Sequence, residues 1–370
     1  MDLGWSEEQE LLRTTAREFL ERECPESLVR AMEADERGFA PELWRRMAEL
    51  GWTGLMIPHE YGGAGLSLLD LTILAEECGR FLVPGPLLPN AVAAAELVLT
   101  GSEAQRATYL PPIAEGRRIH TYAVVEPSGR WDPTAIALTA EPAGDGWRLT
   151  GTKSFVPDAQ AADYLHVAAR RGEAGPLHTF IVPRNAEGVT VRPLKTIAGD
   201  KEAEVALDRV RVAETDVIAT DAATAARVRN LATVLECAYL VGLAQRDMEI
   251  SLEYARTRVQ FGKPIGSFQA IQHKAADMVS DVDGARFITY RAAWAMSEGE
   301  ASADLDVAMA KAWCSDASRR VVAHGQQIHG GIGYTQEYAI QLFFRRQKRA
   351  ELFWGDADYH RRRVAQILAL

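Results

Sequence analysis

Four cysteines in 370 residues is a small number, and Cys24, Cys78, Cys237 and Cys314 lie far apart with no CxxC pair. That spacing excludes a disulfide scaffold and a cysteine zinc site, and it points to reduced thiols in a reducing, cytoplasmic compartment. Excess positive charge is also missing. Against 41 Lys and Arg stand 51 Asp and Glu, a formal net charge of −10, which argues against a nucleic-acid binder. No apolar run approaches the length that spans a bilayer, so no membrane segment is expected. The start, MDLGWSEEQELLRTTAREFL, lacks a basic stretch followed by an apolar one, and reads as an amphipathic helix rather than a signal peptide. Histidines such as His273 and His360 have no metal-like spacing, so no metal site is expected. No fixed-period repeat or low-complexity tract occurs.

What is present is enough apolar sequence, 47%, for a large core in more than one domain. Residues 1–118 read as helical. Leu11, Leu12, Ala16, Phe19 and Leu20 keep the helical period over Glu7–Glu23, and Pro41 suits the first turn of a helix through Trp44 and Met47. Further helices are expected over 69–81 and 91–99, separated by the break PGPLLPN. Residues 119–221 change to short β-rich runs such as HTYAVVE, WRLTGTKSFV and HTFIVP, the pattern of an antiparallel barrel or sandwich. Residues 222–370 return to long helices, expected over 223–258, 271–297, 304–327 and 337–354, whose apolar stripes suggest a bundle. The fold class is thus α+β, in the order helices, β-domain, helical bundle.

The break RVQFGKPIGSFQAIQH (258–273) joins two of those helices. Pro264 cannot sit inside a helix, and Gly262 and Gly266 permit a tight turn. By spacing alone, it is a helical hairpin whose Phe261 and Phe268 plug the core.

Its wording, RxQFGxPIxxFQxI, resembles the acyl-CoA dehydrogenase family. So do LGWTGLMIPHEYGGAGLSLLDL, GSEAQRATYLPPIAEGRRIHTYAVVEP and QQIHGGIGYTQEYAIQLFFRRQKRAELFWGD, in the family's order and over essentially the whole chain. The resemblance implies an N-terminal helical domain, a middle antiparallel β-domain and a C-terminal four-helix bundle. It implies FAD and α,β-desaturation of an acyl-CoA thioester, with electrons passed to an electron-transfer flavoprotein. It also implies a tetramer, homomeric or built with a paralogous subunit, whose FAD lies at a dimer interface.

Carried over position by position, the resemblance assigns FAD contacts to Arg258, Gln260, Phe261 and Gln269 at the break, and to Gln327, Gly330 and Gly331 in QIHGGIG. That second run, judged alone, is a helix C-cap. In the β-domain the matching positions are Val125, Phe155 and Val156. Here the chain departs from the family: Val125 stands in place of a Thr and Pro157 in place of another, so two side-chain donors are lost and weaker FAD binding is expected. The late Glu that serves as base in many members is Trp354, followed by Gly355 at the substrate. The alternative home for the base is Ala232. Glu236, one turn beyond Ala232 among apolar neighbours, is the nearest substitute; paired with an Arg such as Arg229, it is structural instead. Asp356 and Asp358 read as a helix N-cap, and the runs Arg345–Arg346 and Arg361–Arg363 as solvated faces or phosphate contacts. The open readings are an independent dehydrogenase, a base-lacking subunit of a heteromeric one acting on a steroid or other bulky acyl-CoA, a flavin oxidase or hydroxylase on the same fold, and a flavin-free interaction paralogue.

Overall fold

A computed structural model describes residues 4–370 except 174. Six helices come first: α1 (Glu7–Glu23), α2 (Glu26–Ala34), α3 (Pro41–Glu49), α4 (Leu68–Arg80), α5 (Leu87–Thr100) and α6 (Glu103–Ala114). Three start alike. Ser6, Ser67 and Ser102 each accept from the backbone three residues on, while Gln9, Asp70 and Gln105 reach back to the cap. These reciprocal caps satisfy backbone donors that a helix start leaves without partners. Pro41 opens α3 as expected. Helix α5 begins four residues earlier than expected: LLPN belongs to its first turn, where Pro89 loses no hydrogen bond.

The middle of the chain forms strands β1 (His120–Ala123), β2 (Thr139–Ala143), β3 (Gly146–Pro157), β4 (Tyr164–Arg171), β5 (Leu177–Pro183), β6 (Val189–Leu194), β7 (Glu202–Ala213) and β8 (Val217–Ile218). They make one eight-stranded sheet in the order β6-β7-β3-β2-β4-β5-β8, with β1 also on β4. Most pairings are antiparallel, but β1 and β2 both run parallel to β4, a feature the alternation of short strands and turns did not foretell. Gln105 of α6 donates to the carbonyls of Thr215 and Val217 at 2.8 and 2.9 Å, tying the first helices to the sheet.

The last third holds α7 (Ala222–Thr257), a hairpin of β9 (Val259–Gln260) and β10 (Lys263–Pro264), then α8 (Gln269–Glu298), α9 (Ala303–His329), α10 (Ile340–Leu352) and α11 (Ala357–Ile367). Helix α7 is 36 residues long, about 54 Å. It crosses α4 backbone to backbone. A Cβ on Gly242 would lie 1.8 Å from the Glu76 carbonyl oxygen, and one on Gly79 would lie 2.0 Å from that of Tyr239. Only glycine at both positions lets the two helices approach this closely. The four cysteines are all buried and free.

Candidate active site

The candidate cavity is built around the turn between α10 and α11. Lys311 of α9 is fully buried, and its ammonium donates to the carbonyls of Ala350 and Glu351 at 3.0 and 2.9 Å. A cation on the last carbonyls of α10 satisfies acceptors that the helix end leaves open. The chain then turns through Trp354 (φ +60) and Gly355 (φ +97), and Asp356 caps α11 by accepting from Tyr359 N at 2.8 Å. A left-handed tryptophan is held only where packing over-determines it. Here its ring lies 4.8 Å from that of Tyr122 and 5.2 Å from that of Trp131, and His360 donates to its carbonyl at 2.9 Å.

The opposite wall comes from the sheet. Register slips on β3 between Lys153 and Val156, where the strand bulges against β7. The bulge puts Phe155 at φ +53 and leaves it 46% exposed, facing the cavity, while Val156 turns into the core. Val125 lies alongside, its carbonyl accepting from Ser154 N at 2.8 Å. Glu126 accepts from Ala137 N and Leu138 N, both at 2.9 Å, and pairs with the buried Lys153 at 2.9 Å. That fixes the loop carrying Gly129, Arg130 and Trp131 over the opening.

Between these walls lies a cavity of about 980 Å³. The chain is acidic overall, yet seven cationic residues line this space (Arg130, Lys195, Arg229, Lys348, Arg349, Arg362, Arg363) against three acids (Asp132, Glu202, Asp356). Such a lining draws in an anionic ligand.

The base candidate lies elsewhere. Glu236 is 7% exposed and lines a separate, smaller cavity of about 80 Å³. Its carboxylate accepts from Arg349 at 2.8 Å. The partner is thus Arg349, not Arg229. Arg349 also meets Glu202 at 2.9 Å and Asp200 at 3.1 Å, and its guanidinium sits 3.5 Å from the centre of the Phe353 ring. Burial works against its charge, but the three carboxylates hold it protonated. Burial lifts the carboxyl of Glu202 well above the usual range, opposed by Arg349. Arg349 lines both cavities and so stands in the wall between them. Trp354 and Ala232, the positions that the resemblance matches to the family's base, are both buried and neither is ionisable.

The residues assigned to FAD by resemblance separate into two groups. Val125 and Phe155 line the large cavity, as does Gly355, which the resemblance gave to the substrate, and Val156 is buried beside it. Arg258, Gln260, Phe261, Gln269, Gln327 and Gly331 are exposed, Gly330 is half-buried, and all seven lie outside that cavity. Phe261 does not plug the core. At φ +54 on the β9–β10 turn it is 91% exposed, its ring edge-on to the half-buried Phe268 at 6.0 Å. Gly330 does cap α9, at φ +61. Arg346 is buried rather than part of a solvated face.

Arg349, Glu202, Asp200 and Trp131 were not singled out in the sequence. The signal for α10 was available: Phe343, Arg346, Gln347 and Ala350 recur at the helical spacing of a buried stripe and are all buried, so RRQKR is not a uniform solvated run.

The N-terminal, middle and C-terminal domain models of acyl-CoA dehydrogenases match residues 6–117, 121–210 and 225–369. The chain is 32% identical to a 3-(aryl)acrylate reductase of Clostridium sporogenes, over 98% of this chain and 99% of that one. A chain of the "Tcur3481-Tcur3483 steroid ACAD" superposes with a TM-score of 0.91 at 32% identity, covering 98% of each. A chain of the ChsE4-ChsE5 complex of Mycobacterium tuberculosis superposes with a TM-score of 0.93 at 30% identity, covering 100% of this chain and 99% of that one. The protein belongs to the acyl-CoA dehydrogenase family, an FAD-dependent family of oxidoreductases. The cavity fits such a cofactor in two respects, its cationic lining and the open face of Phe155. At Val125 it offers no side-chain donor to a polar ring edge, and Pro157 is buried outside its lining. Among the described residues, no helix is long and apolar enough to cross a membrane, and no cluster of three His, Cys, Asp or Glu is placed to hold a metal ion.

Proposed function

We propose that this chain is one subunit of an FAD-dependent acyl-CoA dehydrogenase in which a second, paralogous subunit supplies the catalytic base. The observation that carries the reading is Trp354, packed on Tyr122 and Trp131 where the family's carboxylate stands, with Glu236 committed to Arg349. Removing a Cα proton needs a carboxylate that reaches it. Of the acids lining the large cavity, Asp356 caps α11, Asp132 accepts from Thr134 and Glu202 is paired with Arg349. Bound flavin supplies the acceptor for the β-hydride. This chain's part is to bind the anionic coenzyme groups, cover one ring face with Phe155 and exclude water with Trp131 and Phe353. The exposed hairpin with Arg258, Gln260 and Phe261, and the Gln327–Gly331 turn, would complete a neighbour's flavin site. That assembly is a heterotetramer, with a bulky or steroid acyl-CoA as substrate and an electron-transfer flavoprotein as acceptor. The steroid complex among the structural relatives supports the first two features.

The test is production of the chain alone and together with a paralogue that carries the Glu. The reading expects flavin absorbance and acyl-CoA turnover only in the mixed assembly, unchanged by Glu236→Gln in this chain. Turnover by this chain alone would defeat it.

One observation favours a second reading, an independent homotetrameric dehydrogenase. Glu202 faces the large cavity with a carboxyl that burial raises toward neutrality, as a base requires. On that reading Glu202→Gln abolishes turnover by this chain alone.

A further inference from the structure

Of the seven cations lining the large cavity, Lys348 and Arg349 have carboxylate partners, at Glu351 and in the cluster around Glu236. Arg229 and Arg363 have none among the described residues. They meet where α7 and α11 come together, at the corner also lined by Asp132, Tyr359 and Gln366. The Nε of Arg229 is buried and has no hydrogen-bond partner among the described residues. Arg363 reaches Asn230 Oδ1 only at 3.4 and 3.5 Å, and Asn230 already donates to Asp304 at 2.5 Å. The neighbouring Arg361 shows the contrast: it turns out of the cavity and pairs with Asp316 and Asp358.

Two half-buried guanidinium groups in range of each other, with no carboxylate at ion-pair distance among the described residues, cost free energy in the free protein. Burial and the charge of Arg229 both disfavour the charge on Arg363; Tyr359 and Asp304 oppose them weakly. Asp132 feels the field of Arg229 but spends its side chain on Thr134. His360, the buried ring at this corner, donates to the Trp354 carbonyl and adds no charge, since burial holds it neutral. Arg130 and Arg362 stand exposed at the same cavity without ion-pair partners among the described residues. Guanidinium pairs match phosphate oxygens in both charge and fork geometry.

We propose that Arg229 and Arg363 form a phosphate-binding subsite at the α7–α11 corner of the cavity, with Arg130 and Arg362 at its mouth, and that it takes a phosphoryl group of a nucleotide. Two sources share that chemistry, the phosphates of coenzyme A and the pyrophosphate of FAD. The inference rests on the reading of this cavity as a coenzyme site, and its test separates the two.

Thermal unfolding of the full chain is followed with pyrophosphate against chloride at equal ionic strength. The wild-type midpoint rises by about 2–4 °C at millimolar pyrophosphate. Arg363→Gln and Arg229→Gln each remove that rise, and each unfolds no lower than wild type without ligand, because a repulsion has gone. Arg361→Gln keeps the rise. Equal rises in wild type, Arg229→Gln and Arg363→Gln overturn the subsite, as does no rise in wild type. Calorimetry with CoA, dephospho-CoA and FAD then names the source. A tenfold or greater preference for CoA over dephospho-CoA assigns the 3′-phosphate. Equal binding of those two with weaker FAD assigns the CoA pyrophosphate, and tighter FAD assigns the flavin's. Binding of pyrophosphate with none of the three coenzymes leaves the subsite standing and removes the coenzyme reading of the cavity.

Discussion

Arg349→Met removes the cation that three carboxylates share. Asp200, Glu202 and Glu236 lie within 3.1 Å of the guanidinium, and Glu202 and Glu236 are 4% and 7% exposed. Removing one partner of a buried pair costs about 3–5 kcal/mol, because the charge left behind stays desolvated. For a chain of this length, unfolding as one unit, that lowers the midpoint by about 4–6 °C. The cost depends on pH. Without Arg349 the carboxyl of Glu202, which burial already lifts, loses the cation that opposes that rise and titrates still higher in the folded chain than in the unfolded one. Stability is then lost as pH rises through the gap between the two values, so the deficit is large at pH 8 and smaller at pH 5. The triple change Arg349→Met, Glu202→Gln, Glu236→Gln removes the cation with the two buried carboxylates, leaves only the half-buried Asp200 charged, and recovers most of the loss. Guanidinium unfolding at pH 5 and pH 8 measures all three proteins. A single variant within about 1 kcal/mol of wild type at pH 8 would refute the argument that Glu236 is held by this cluster.

Other outcomes follow from neighbouring features. Asp158 is buried, with Asp200 nearby, and its carboxyl rises to about 7. Its contribution to stability is present at low pH and lost as pH climbs from the ordinary carboxyl value to about 7. Asp158→Asn should therefore be more stable than wild type at pH 8 by on the order of 2–4 kcal/mol, with the gain gone near pH 4, in the same denaturant assay. Gly242→Ala places a methyl 1.8 Å from the Glu76 carbonyl oxygen, and forcing α4 off α7 should cost about 3 kcal/mol or more, read as a lower unfolding midpoint. Trp354→Ala empties the space between Tyr122 and Trp131 and should cost about 3–5 kcal/mol, while leaving the pyrophosphate response of Arg229 and Arg363 in place.

Much of the architecture was legible in the residues. The apolar period of α1 predicts that helix to the residue, and the change to β-rich runs after residue 118 marks where strands begin. The start of α5 was obscured by Pro86 and Pro89, because proline signals a break and a first turn equally well. The parallel pairing of β1 and β2 with β4 depends on which edges meet in space, and alternation carries no such information. That Trp354 and Ala232 are not acids was readable in the sequence itself. The fate of Glu236 was not, because its partner Arg349 lies 113 residues away on α10, beyond the reach of any local spacing. Phe261 was misread by spacing for a related reason. An aromatic ring at a helix break suits a core plug and an exposed arm alike, and only the left-handed turn at residues 261 and 262 turns it outward.

The most direct measurement is the visible absorption spectrum of the chain purified alone, then purified with a Glu-bearing paralogue, each titrated with a panel of acyl-CoA thioesters. The account predicts no acyl-CoA bleaching from the chain alone, and a flavin band bleached by a bulky acyl-CoA in the mixed assembly. A yellow chain that is bleached by an acyl-CoA with no partner present would contradict it.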